Sequence, residues 1–229
     1  MILQLLCILG VVSMIIGVLL ALYQWDYKRL LAYHSISQVG YIILGIGLGT
    51  PLGILGGLFH LINHSIFKSL LFLTSGAVEY ATGTRDLRQM GGLKNKMPTT
   101  ATTSLIASMS IAGVPPLNGF WSKLIIILAC IQTGRYWLGF IAVIGSLLTL
   151  ASFLKVQKYA FFGPLNPKLE HVKEVPFSMR ISMIILAIFC ILMGLLLLPQ
   201  IKTIVFDPAV KVLMDGIDYG RIVFESVPK

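Results

Sequence analysis

Six apolar runs, each of the length that crosses a bilayer's hydrocarbon core, take up most of this chain. They are Met1–Tyr23, Leu31–Gly49, Ile54–Thr82, Thr99–Thr133, Trp137–Phe162 and Ser178–Pro199. A helix needs roughly 20 residues for that crossing. Lipid offers backbone amides no partners, so spans of this kind are helical. Only 12% of residues are charged, against roughly 25% in soluble domains. The sequence predicts an all-α integral membrane protein of about six transmembrane helices. Met1–Tyr23 lacks a basic leading segment and a small-residue cleavage site, so it reads as a retained span and not a signal peptide. No soluble domain of any size fits between the runs.

The fourth run is interrupted at Gly113-Val114-Pro115-Pro116. Proline removes a backbone donor and clashes with the preceding turn, so the run is expected to be one broken helix with an unwound middle. Such irregular backbone is tolerated at membrane depth only when buried in protein or lining water, and it commonly marks a transport site. Two short spans joined by a Pro-Pro turn are the alternative, and the charges choose between them. With one broken span, Lys28, Arg29, Arg85, Arg88, Lys94, Lys96, Lys155, Lys158, Lys168, Lys173 and Arg180 share a side, and Arg135 faces the other. With two spans the last five cross over and the asymmetry weakens, so the six-span reading is preferred. It puts the N-terminus and the tail outside and the three long connectors in the cytoplasm. The net charge of +9 is then a topology signal and not a nucleic-acid footprint.

His60, His64 and Lys68 are spaced by four in FHLINHSIFKSLLFL (59–73). They form one stripe on one helix face, each about 6 Å from the next along the axis. A charge near the bilayer centre costs roughly 2.5–3.5 kcal/mol on insertion scales, so such groups face a bundle interior or a wet cavity. Lys123 follows the break directly. Burial makes an ammonium easier to deprotonate, and imidazole titrates near neutral pH unaided. Lysines joined by imidazole and water would form a proton path. The plainer alternative is hydrogen-bonded core histidines and a snorkelling lysine. Glu79, about three turns beyond Lys68, falls near the same face, yet an ion pair with Arg85 or Arg88 fits it equally. His34 is a further candidate for the relay or an ion pair, with a helix cap or a bond to Ser37 as the plainer alternative. Ser104, Ser108 and Ser110 are expected to satisfy backbone groups freed by the break, and Phe120 and Trp121 to pack it. Cys7, Cys130 and Cys190 lie in separate runs with no metal spacing, so no iron–sulfur site or structural zinc is supported.

The segments DYKRLLAYHSISQVGY (26–41), FHLINHSIFKSLLFLTSGAV (59–78), MGGL (90–93) and GVPPLNGFWSK (113–123) resemble the antiporter-like subunits of respiratory complex I, the Mrp antiporters and the energy-converting membrane hydrogenases. The resemblance implies inverted five-helix repeats, each with one broken helix, and a polar axis of lysines and acids. It implies that residues 1–162 form one such repeat, the second. A connector and last span would follow over 163–199, and an interfacial or partner-packed tail, with Asp207, Asp215, Asp218 and Glu225, over 200–229. Lys68 would be the central relay lysine, His60 and His64 its bridging histidines, and Lys123 the terminal lysine beside Gly113, Pro115 and Pro116. Family members are about twice as long, and no residue here matches the glutamate–lysine pair of the first repeat.

Together these features predict an ion-translocating subunit, moving protons or exchanging sodium for protons, in the plasma membrane of a prokaryote. No cofactor is expected in this chain. Iron–sulfur clusters are expected in a peripheral redox module, and further antiporter-like membrane subunits would supply the missing repeat. Component of an Mrp-type antiporter and non-conducting structural subunit are the alternatives. Whether the chain counts as part of an oxidoreductase is left open.

Overall fold

The computed structural model describes residues 1–226, with side-chain surroundings through residue 216. The acidic tail residues Asp218 and Glu225 lie outside those described side chains. The described residues form nine α-helices and no strand: α1 (Ile2–Tyr23), α2 (Tyr27–Gly47), α3 (Pro51–Thr82), α4 (Pro98–Ala112), α5 (Asn118–Gln132), α6 (Tyr136–Val156), α7 (Phe177–Leu192), α8 (Pro199–Val205) and α9 (Asp207–Ser226). The last turns of the α6 span, Gln157–Phe162, are π-helical, and α7 runs on through a 3-10 stretch, Met193–Leu197. Five of these segments are long and apolar enough to cross a membrane: α1, α2, α3, and α6 and α7 with their continuations.

Local chemistry sets the ends. Asp26 accepts the Arg29 amide and starts α2 at Tyr27, a turn earlier than the hydrophobic pattern alone predicts. Thr50 caps α3, with Pro51 in its first turn, and left-handed Gly83 (φ 72°) ends it. The α4 start has no cap from its own segment. Instead Glu174, far along the chain, accepts from the amides of Thr99 (2.8 Å) and Thr100 (3.2 Å) and from the Thr100 hydroxyl (2.6 Å).

Hydrogen bonds between connectors show which ends lie together. The Tyr27 amide bonds the Arg85 carbonyl (2.9 Å) and the Leu87 amide bonds that of Trp25 (3.0 Å). Lys155 donates to the carbonyls of Leu22 and Gln24, Asn166 to Gln89, and Lys96 to Glu170. Residues 24–26, 83–97 and 157–176 therefore share one side, called here the basic side. On the opposite side Arg135 donates to the Cys7 sulfur at 3.1 Å, joining the α5–α6 turn to the start of α1. So α4 begins on the basic side and α5 ends on the other. The two halves together make one discontinuous span, as the charge asymmetry predicted, and six spans result.

Glycines permit close helix approach. A Cβ at Gly40 of α2 would collide with the Met14 backbone of α1, the small-residue packing expected where hydrocarbon gives no drive for association. Helices α8 and α9 fold back on α3, with Phe206 and Val210 buried against Ile54, Leu55 and Phe59. The outward faces of α1 and α7 remain apolar and exposed, as suits lipid or a neighbouring subunit.

Candidate functional site

The break between α4 and α5 leaves carbonyls without helical partners. The Lys123 ammonium, 3% exposed, donates to the Ile111 carbonyl at 2.8 Å and to the Ser146 hydroxyl at 3.1 Å. Ser146 in turn donates to Ala112 at 2.9 Å. The serines of α4 were expected to fill this role, and they do not. Freed carbonyls are met from α5 and α6, while the Ser110 hydroxyl bonds Asn118 across the gap. Gly113 is left-handed (φ 83°) at the end of α4. Phe120 and Trp121 do pack the break, with Trp121 donating to Pro116 at 3.0 Å. A cavity of about 220 Å³, lined by Gly113, Pro115, Lys123 and Ser146, adjoins the ammonium. Its outer wall is Val143 and Leu147 of α6, which are exposed.

His60, His64 and Lys68 lie along α3 as predicted, and all turn inward. His60 is fully buried, and its Nδ1 pairs with the Ser122 hydroxyl at 2.8 Å, one residue from Lys123. Tyr41 lies between the two: its ring centroid is 5.5 Å from that of His60 and 4.5 Å from the Lys123 nitrogen. Lys68, 6% exposed, donates to the Leu31 carbonyl of α2. It does not snorkel. The stripe therefore reaches from Lys68 to the neighbourhood of Lys123. Several buried polar atoms of α2, α3 and α5 have no protein partner: Nε2 of His60 and His64, Oδ1 of Asn63, Nδ2 of Asn118 and both amide atoms of Gln38. Buried polar atoms are nearly always satisfied, so these are the places where water would be held.

The remaining predicted residues fall elsewhere. His34 is neither a cap nor a partner of Ser37. It lies in the second turn of α2, and its Nε2 pairs with Ser152 of α6 at 2.9 Å, while Ser37 bonds the Met14 carbonyl. Glu79 is off the stripe, at the basic surface. It bridges Lys28 and Arg85, each at 2.6 Å. Arg88 instead pairs with Asp86 and holds that carboxyl below its usual range. Sequence reasoning missed Tyr41, Asn63, Asn118, Ser122 and Ser146. Their signal was present, since each is a polar side chain inside an apolar run. Among the described residues no cluster of His, Cys, Asp or Glu could hold a metal ion.

Fold and site together define a class: a multi-pass, all-α membrane protein with a polar interior built around a broken helix and two buried lysines. The chain belongs to the NADH:quinone oxidoreductase/Mrp antiporter transmembrane family, whose profile matches residues 1–149. It is 38% identical over 212 residues to a Na(+)/H(+) antiporter subunit of Alkalihalophilus pseudofirmus, covering 90% of this chain and 43% of that one. It is similar in structure to a chain of the membrane-bound sulfane sulfur reductase, an archaeal respiratory membrane complex. There the TM-score is 0.80 with 39% identity, over 83% of this chain and 32% of that one. Respiratory complex I from Thermus thermophilus also contains a similar chain, with a TM-score of 0.80 and 26% identity, over 93% of this chain and 44% of that one. The chain thus spans less than half the length of each, and these solved relatives are multi-subunit membrane complexes.

Proposed function

We propose that this chain relays protons through the membrane interior of a complex I-like or hydrogenase-type assembly, with Lys68 and Lys123 as the titrating ends and His60 and His64 between them. One observation carries it: two ammonium groups are buried in a membrane bundle with hydroxyl, carbonyl and aromatic neighbours and, among the described residues, no carboxylate within bonding range. A buried cation without a counter-charge is costly, so a lysine held this way favours releasing and regaining its proton. The imidazole nitrogens without protein partners, together with water, supply the steps between.

In this reading residues 1–162 are the second repeat of the family architecture, 163–199 the connector and following span, and 200–229 a tail docked on the outer surface. The basic side faces the cytoplasm. The first repeat is supplied from outside residues 1–229, by further chain or by a partner subunit, and the iron–sulfur chemistry belongs to partners. The similarity to an antiporter subunit favours a second reading, in which the same path exchanges protons against sodium.

The test is transport by the purified assembly in proteoliposomes. Lys68→Ala should abolish proton translocation while the redox module stays assembled and active. Translocation at the parent rate in that variant would refute the relay.

A further inference from the structure

A second set of buried polar groups runs across the lysine path. On α4, Thr100, Ser104 and Ser108 recur at every fourth residue, and all three are fully buried. Each hydroxyl can accept one proton and pass on another. At the basic end the Thr100 hydroxyl donates to the half-buried Glu174 carboxylate at 2.6 Å. One turn deeper, Ser104 meets the Tyr27 hydroxyl of α2 at 3.1 Å and the Gln157 amide at 3.2 Å. That same amide donates to Ser108 at 2.9 Å. Gln157 opens the π-helical stretch of the α6 span, a local rewinding that recurs at functional sites.

Two helices lead from this layer to the lysine axis. On α2, His34 lies seven residues after Tyr27, about 10 Å deeper. On α6, Ser152 lies five residues before Gln157, about 7 Å deeper. His34 and Ser152 bond to each other at 2.9 Å, and Leu31, one turn before His34, holds the Lys68 ammonium. Each layer holds one buried atom with no protein partner, Gln157 Oε1 in the outer and His34 Nδ1 in the inner. Water there would satisfy both and join the layers.

We propose that the bundle contains a transverse proton-uptake branch, running from Glu174 at the basic surface through Thr100, Ser104 and water held by Gln157 to His34 and Lys68. The branch builds on the lysine relay. Glu174 takes a proton from the aqueous phase. Each hydroxyl or water then accepts a proton on oxygen and releases its own inward, and Lys68 receives the last one. Gln157 does not change protonation; it is a positioning residue that orients the water.

The purified assembly in proteoliposomes, followed by a pH-sensitive dye, tests this. Gln157→Leu should slow translocation about tenfold or more, the loss of about 1.4 kcal/mol from the limiting step, and Gln157→Glu should restore it. If Gln157→Leu does not assemble, the double variant Ser104→Ala, Ser108→Ala carries the same expectation with less change of volume. In a background with Cys7, Cys130 and Cys190 replaced by Ala, Ser108→Cys should react with silver ion added on the basic side and block transport. Parent rates in the hydroxyl and amide variants, or no silver reaction from that side, would overturn the branch. With Lys68→Ala still inactive, the relay would survive that outcome; parent rates in Lys68→Ala as well would remove both.

Discussion

At the scale of single residues, partners separate the functional groups from the structural ones. Among the described residues, Lys68 and Lys123 have only neutral neighbours within bonding distance, whereas Glu79 sits between two cations at the surface. A carboxylate in such an exposed ion-pair cluster contributes little and can be neutralised cheaply. Glu79→Gln should therefore leave translocation at the parent rate, measured in the same proteoliposomes in which Lys123→Ala should be inactive. Loss of transport in Glu79→Gln would put the carboxylate back into the path. The sequence made the Lys68 stripe legible because four-residue spacing on a helix survives any tertiary arrangement. It could not tell Lys28 from Arg88 as the partner of Glu79, or find Ser152 for His34. Those pairings depend on how α2, α3 and α6 pack, which no local spacing encodes.

At the scale of elements, the broken span is the organising feature, and its proline signal was read correctly as a break. The direction of its repair was not. Ser104 and Ser108 of α4 face Tyr27 and Gln157, while Lys123 and Ser146 close the carbonyls of Ile111 and Ala112. Helix phase across an unwound segment cannot be carried over from one half to the other, so no spacing in the chain sets Asn118 opposite Ser110. The two halves touch at Gly119, where an added Cβ would run into the Ser110 carbonyl. Gly119→Ala should force the halves apart at a cost of about 1–3 kcal/mol, the range of overpacked sites. It should lower the thermal unfolding temperature of the solubilised protein and weaken transport through displacement of Lys123. Unchanged stability and transport would mean that the break is slack.

At the scale of the whole molecule, the six spans, their alternation and the gathering of basic connectors on one side were all legible from apolar run length and charge. Those signals are set by the bilayer and not by the particular packing. The π-helical end of the α6 span was not, and neither was the capping of α4 by Glu174, which joins segments far apart in the chain. What the assembled bundle adds is continuity. Polar atoms from α2, α3, α5 and α6 meet inside the bundle, and the imidazole nitrogens of His60 and His64 without protein partners lie on α3 between Lys68 and the neighbourhood of Lys123. The proposed relay requires that interior to be wet. An electron cryo-microscopy map of the complete assembly, sharp enough to show ordered solvent, is the most direct measurement. It should show water bonded to the free imidazole nitrogens of His60 and His64 and to Asn63, forming an unbroken chain from Lys68 to Lys123. A dry interior, with aliphatic side chains closed between the two ammonium groups, would contradict it.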